Sequence, residues 1–483
     1  MDSTAFVWTG HSTQILQSEK QKQHVKTTEN NIHLTSPLKV RVFDLDSSEI
    51  PQWEGTVERL GENCAVVQSK STTKDFNLNP PQTVHRVEFW SKNELYGVVN
   101  GRMYATERSP WIEIRPGQGG DKISFEAMLT RYRKEQHIDL CRNSPVESKT
   151  TPTGFEHFSF IPLTVPELNL EDVDTATTFL DRKFSYPILV TGMTGGVESA
   201  TLINKRIALA CQKFQIPMGL GSQRLIDQDP KYASIFDVKK HAPNLFLIGN
   251  IGMAQVCSGW STDRIKRLVD SVNADAIAIH INVLQELVQV EGDRHFKNFF
   301  VELERICRDL ETPVIVKEVG CGVDQRTFSR LVECGVSAVD VGGTGGTSWA
   351  RIEGLRTTNP VSSALSETFS DWGIPTAFNL KALSGRQLST PITATGGIRD
   401  GLMVAKAVAL GAKMVGIGLP IFKAAISDDA LAVEQKLAEF CEGLKMTCLL
   451  TGAKHHSELD KKLVVGKPYE NYLRDLETQK STF

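Results

Sequence analysis

The stretch HINVLQELVQVEGD, His280–Asp293, gathers amides and carboxylates behind one histidine: Asn282, Gln285, Glu286, Gln289, Glu291 and Asp293. An imidazole and a carboxamide can bind phosphate oxygens. A carboxylate such as Glu286 can bind Mg²⁺, a hard cation that prefers oxygen ligands. One histidine alone is more often structural, but six polar groups at a strand end favour a site. His280 and Asn282 share a face at a period of two, and Gln285 and Glu286 are expected to start the loop that follows.

Other segments carry matching chemistry. TGGIRDG (Thr395–Gly401) and GIGLP (Gly416–Pro420) each follow an apolar run and precede a helical pattern. Their glycines allow close backbone approach to phosphate, and Arg399 adds a guanidinium fork. TGMTGG, GSQR and GNIG end three further apolar runs, and Met193 and Thr194 could lie along a planar ring. Lys317 stands inside VKEVG, where a buried lysine is costly unless partnered. Glu318 is a poor partner because alternate strand residues point to opposite faces. In RYRKEQHIDLC, His137 follows Arg133 by four residues and Lys134 by three, so a helix would present one cationic face. Such a face is either solvated or an anion clamp, and the phosphate-binding set at His280 favours the clamp.

These residues need a frame that brings them together. Eight short, continuous, β-branched runs recur after Asp121: PILVTGM, IPMGLG, LFLIGNIG, AIAIHIN, PVIVKEVG, AVDVGGTG, PITATGG and MVGIGLP. Helical patterns separate them. Eight strand–helix alternations predict a (β/α)₈ TIM barrel, with the doubly wound sheet as the alternative. Most runs end in Gly, Thr, Asn or a charged group, at the barrel face where active sites sit. The connection 346–390 is the longest and is expected to form a lid or a substrate wall.

Upstream, residues 1–36 are polar and aperiodic. Residues 37–120 hold short β-branched and aromatic runs, read as a small β-rich module of unknown role. Asn100-Gly101 is expected to make a two-residue hairpin turn there, and PGQGG a linker to the barrel domain, 121–483. The chain of 483 residues carries a net charge of −3, so no general nucleic-acid surface is implied. Its nine cysteines show no CxxC pair, which argues against zinc or a disulfide framework and favours a reducing, cytoplasmic setting. Neither a signal peptide nor a membrane span is expected.

Taken together, RKEQHI, MTGG, GSQR, GNIG, HINVLQELVQVEGD, VKEVG, GGTGGTSWARIEGLR, WGIPT and TGGIRDG resemble the type 2, FMN-dependent isopentenyl diphosphate isomerases, in order, from about Arg131 to Lys454. The resemblance implies interconversion of isopentenyl and dimethylallyl diphosphates in isoprenoid biosynthesis. It implies reduced FMN, Mg²⁺, NADPH as reductant, and a homo-oligomer. By this resemblance Arg133, Lys134, His137, Arg224 and Asn282 bind the diphosphate, with Gln285 and His280 at the reacting end and Glu286 on the metal. Met193, Thr194, Gly195, Ser222, Asn250, Lys317, Thr347, Gly397, Arg399 and Gly418 line the FMN.

The chain departs from that pattern at Gly192 and Gly249, where alanine is usual, and at Gly342, where serine is common. The first two read as small-for-small changes, the third as the loss of a hydrogen bond to the flavin. Two other readings compete. SGRQL (Ser384–Leu388) is similar to the active-site run of FMN α-hydroxy-acid oxidases, but Leu383 stands where those enzymes need a histidine base. A non-catalytic flavin- or phosphate-binding sensor is the other reading, and His280, Gln285 and Glu286 together argue against it.

Overall fold

Apolar strands with buried faces on both sides close on one another in the second part of this chain. The structure is a computed structural model that describes residues 39–44, 53–61, 64–69, 84–91, 94–105, 111–116 and 120–465, apart from 194, 291, 358 and 385–389. The polar tail 1–36 lies outside the described residues.

Six strands come first: β1 (Lys39–Asp44), β2 (Trp53–Gly61), β3 (Cys64–Ser69), β4 (Val84–Ser91), β5 (Glu94–Ala105) and β6 (Trp111–Pro116). They form a closed barrel in the order β1-β2-β3-β6-β5-β4, antiparallel throughout. The turn expected at Asn100-Gly101 is not there. β5 runs straight through it, with Gly101 paired to His85 on one side and to Pro116 on the other. The reversal lies between Ser91 and Glu94. Gly101 marks the place where β5 passes from β4 to β6. Local sequence cannot distinguish such a change of pairing partner within one strand from a turn. Of the expected linker, 117–119 lies outside the described residues, and a helix, Gly120–Asn143, begins directly after it.

Three short strands follow: β7 (Phe158–Phe160), β8 (Thr177–Phe179) and β9 (Arg182–Phe184). All eight expected strands then appear: β10 (Ile188–Val190), β11 (Met218–Gly219), β12 (Leu247–Gly252), β13 (Ala276–Ile281), β14 (Val314–Glu318), β15 (Ala338–Asp340), β16 (Ile392–Ala394) and β17 (Met414–Ile417). They are parallel, and β17 pairs back onto β10 through Ile188↔Val415 and Val190↔Ile417. That closure makes the sheet a (β/α)₈ barrel rather than a doubly wound sheet. A last strand, β18 (Leu463–Val465), pairs with β7.

Side-chain caps start the helices that cross back along the barrel. Asp324 accepts from Thr327 N at 3.0 Å and Asp400 from Met403 N at 2.7 Å, each satisfying an otherwise orphan amide of the first turn. Ile277, Ile279, Val316 and Val339 face outward into the core shared with the helices. Leu189, Ile248, Ala276, Ala278, Ile315, Ala338 and Met414 fill the barrel interior, with Phe179, Phe184 and Phe246 in the same apolar cluster. Because the pleat alternates, Asn250, His280, Lys317 and Asp340 share the inward parity of Ile248, Ala278, Ile315 and Ala338, one step nearer the carboxyl ends. The interior is an apolar plug with a polar layer on top.

The eight cysteines from Cys141 to Cys448 are free, five of them buried. Among the described residues no helix is long and apolar enough to cross a membrane.

Candidate active site

Asn250, His280 and Lys317 of the polar layer line the floor of a cavity of about 1430 Å³, its open mouth included, at the carboxyl ends of the strands. Register sets the order of the floor: Asn250 pairs with Ala278, His280 with Lys317, and Lys317 with Asp340. Lys317 Nζ donates to the carbonyl oxygen of Glu318 at 3.1 Å. The Glu318 carboxylate turns away and takes the amides of Gly320, at 2.5 Å, and Cys321. Burial pushes the Glu318 carboxyl up to about 7. Asp340 is buried and also raised, and it accepts from Thr395 Oγ1 at 2.6 Å.

His280 stands between Asn250 and Lys317. Its Nδ1 lies 2.7 Å from Asn250 Oδ1. Burial, then the charges of Lys317 and Arg224, push the imidazole down to about 3. The helix Gly120–Asn143 brings Arg133, Lys134 and His137 to the same cavity. Lys134 Nζ donates to Ser222 O at 2.7 Å. Burial, with Arg224 and Arg133 beside it, holds Lys134 well below the ordinary lysine value. Arg133, Lys134, Arg224 and Lys317 gathered around the neutral His280 imidazole form a site that an anion would relieve.

After Ile281 the periodicity changes. Val283–Val288 is a short helix rather than the loop expected from the sequence. Asn282, Gln285, Glu286 and Gln289 are then spaced by three and four and share one helical face. Asn282 Nδ2 donates to Glu286 Oε1 at 2.8 Å and to Gln285 Oε1 at 3.3 Å. Asp293 N donates to Glu286 Oε2 at 2.9 Å.

The long connection after β15 supplies the facing wall. Its helix Trp349–Arg356 carries Glu353, which is 1% exposed. Glu353 Oε1 accepts from Gln285 Nε2 at 2.9 Å and lies 3.0 Å from His137 Nε2, while Oε2 accepts from Arg356 Nε at 2.8 Å. Turning the Gln289 amide about its axis lets it donate to Glu353 Oε1 at 3.2 Å and accept from Arg133 Nη1 at 2.7 Å. Burial would raise the Glu353 carboxyl, but Arg356 and His137 hold it well below the usual carboxylate range.

Arg133, Lys134, His137, Arg224, His280, Asn282, Gln285 and Glu286 line this one cavity, as do Met193, Gly195, Ser222, Asn250, Lys317, Thr347, Gly397, Arg399 and Gly418. Thr194 lies outside the described residues. Glu353, Glu318 and Asp340 were not singled out as site residues from sequence, and Gln289 entered only as one of the polar groups behind His280. Glu353 sits in WARIEGLR, inside the connection expected to form a lid or a substrate wall, where nothing in the sequence marks it off from its charged neighbours. Leu383, at the position where an oxidase would need its histidine, is 1% exposed, and 385–389 lies outside the described residues.

A family profile described as FMN-dependent dehydrogenase matches residues 258–466. The isopentenyl-diphosphate delta-isomerase of a Synechococcus species is 41% identical over 66% of this chain and 94% of its own length. That of Pyrococcus furiosus is 40% identical over 70% of this chain and 88% of its own. Among solved structures, a mandelate oxidase variant with a monooxide FMN adduct covers 68% of this chain and 95% of its own at a TM-score of 0.47 and 18% identity.

Proposed function

The chain belongs to the isopentenyl-diphosphate delta-isomerase family, and on that premise we propose that it interconverts isopentenyl and dimethylallyl diphosphates by the FMN-dependent, type 2 route. The observation that carries the reading is the arrangement around Gln285. Its amide is fixed by buried Glu353 on one wall, and Arg133, Lys134, Arg224 and His280 line the same cavity. A hydrocarbon end offers no polar handle. The diphosphate must therefore supply the binding energy that places the alkene against Gln285.

The residues fit the flavin. Lys317 and Asn250 offer polar groups on the floor, Met193 offers an apolar surface, and Gly397, Arg399 and Gly418 offer a glycine-rich rim for a phosphate. Reduced FMN, when bound, supplies the acid–base group that works on the alkene, with NADPH as the source of the reducing equivalents. This chain's own residues bind and orient: the cations hold the diphosphate, and Gln285 and Trp349 border the space left for the five-carbon chain.

Glu286 is the residue that would hold Mg²⁺. Among the described residues no three His, Cys, Asp or Glu gather as a metal cage. Glu286 lines the cavity beside the cations, where one carboxylate together with substrate phosphate and water would hold the ion. The reading includes a cytoplasmic homo-oligomer, with 37–120 as an accessory module to the isomerase domain 121–483.

The test is anaerobic turnover of isopentenyl diphosphate with FMN, Mg²⁺ and NADPH, in wild type and Gln285→Ala. Product formed by wild type and lost in the variant supports the assignment. A wild type that holds reducible FMN yet forms no product removes it.

A further inference from the structure

Residues 144–153 lie as a strap across the loops that follow β15 and β16. Ser348 N donates to Val146 O and Ser148 N to Gly346 O, both at 2.8 Å, and Glu147 bridges Thr347 in antiparallel fashion between them. Farther on, Lys149 N and Thr150 N donate to the Asp371 carboxylate at 2.7 and 2.8 Å, and Ala377 N donates to Thr153 O at 2.9 Å. The strap is therefore fixed at both ends.

Glu147 reaches from this strap to the cavity rim. Its carbonyl accepts from Arg351 Nη1 at 2.8 Å, and its neighbours Val146 and Ser148 make the two bonds of the bridge, so its backbone is held in place. Its carboxylate accepts from Arg399 Nε at 2.9 Å and also from Nη2. Arg399 Nη1 donates to Ile398 O at 2.8 Å. A guanidinium carries five N–H groups, so these contacts orient the group and leave donors for an anion.

We infer that Glu147 is a positioning residue for the FMN phosphate, acting by holding Arg399 in its binding orientation. The inference rests on the reading of Arg399 as a ligand of that phosphate. Two effects oppose each other here. A carboxylate repels an incoming phosphate, but the Glu147 side chain is 42% exposed and solvent screens it. Without the carboxylate, a long side chain must be ordered at each binding event, which lowers affinity. The ordering effect is the larger, because Arg399 holds its place through the strap rather than through burial.

The test measures FMN dissociation constants by flavin fluorescence on flavin-free full-length protein. Glu147→Ala is expected to weaken FMN binding roughly tenfold, with Glu147→Gln restoring most of it through its remaining hydrogen-bond acceptor. In an Arg399→Ala background, Glu147→Ala is expected to have no further effect, because the two act as one unit. Equal or tighter FMN binding in Glu147→Ala, or full additivity with Arg399→Ala, overturns the inference. If wild type takes up no FMN, the cofactor reading itself fails, a separate outcome.

Discussion

Gln285, which lines the cavity, meets buried Glu353, with Gln285 Nε2 donating to Glu353 Oε1 at 2.9 Å. The contact fixes which end of the amide faces Glu353, so the amide oxygen is turned the other way, within 3.3 Å of Asn282 Nδ2. Glu353 stays ionised because Arg356 and His137 flank it. Glu353→Gln keeps the size, removes the anion and lets the Gln285 amide turn. We expect kcat to fall roughly 10²-fold, the cost of small misplacement at a reacting centre, while FMN uptake persists. Anaerobic turnover and flavin fluorescence on the same preparation check both. A kcat within twofold of wild type would sink the assigned role.

A second expectation concerns acid stability. Unfolded, His280 takes up a proton near its ordinary 6.5; folded, it resists until about 3. Between these values the unfolded state binds more protons, so the contribution of this group favours unfolding increasingly as pH falls through that window. His280→Asn removes it. Urea midpoints at pH 7.5 and 5 should therefore fall further in wild type than in the variant. Parallel losses would show that His280 is not the buried neutral base the geometry describes.

Much of this was legible because periodicity reports burial. The eight barrel strands were readable as continuous apolar runs, since a parallel strand is covered on both faces. The residues at their ends share one cavity because strand order closes on itself. Three kinds of feature were not legible. Gly101 looked like a turn because only pairing on both edges of β5 shows that the strand continues through it. Gln285 and Glu286 looked like a loop because the period changes from two to about 3.6 at Asn282. Glu353 went unmarked within the connection expected to form a wall because its partners, His137 and Gln285, lie 216 and 68 residues away.

Gly342 gives a third prediction. From sequence, its departure from serine reads as the loss of a flavin hydrogen bond. In the structure its φ is +48°, and an added Cβ would lie 2.2 Å from Glu318 O. Serine cannot be accommodated here without backbone movement. Gly192 is similarly constrained, since an added Cβ would lie 1.9 Å from Leu220 O, so the alanine expected to be interchangeable there is not. Gly342→Ser is expected to lose about 1–3 kcal/mol of stability through strain and overpacking, without tightening FMN. Denaturant unfolding beside FMN titration decides this. A stable variant with tighter FMN would restore the hydrogen-bond reading.

The last prediction follows from the His280 tautomer. Asn250 Oδ1 can only accept, so His280 Nδ1, 2.7 Å away, carries the proton. With the imidazole neutral, Nε2 then has a lone pair and no hydrogen to offer a phosphate oxygen. Burial and the positive charges of Lys317 and Arg224 maintain that state. A bound diphosphate offsets those charges and favours a proton on Nε2, so binding should draw one from solvent. Calorimetry of inorganic diphosphate at pH 7.5, in two buffers of different ionisation enthalpy, measures this uptake. His280→Gln corrects for protons exchanged by the diphosphate itself. We expect wild type to take up more protons than the variant, with the excess growing as pH falls toward 6.5. Equal uptake by the two proteins would mean that the imidazole stays neutral in the complex and does not donate to the phosphate.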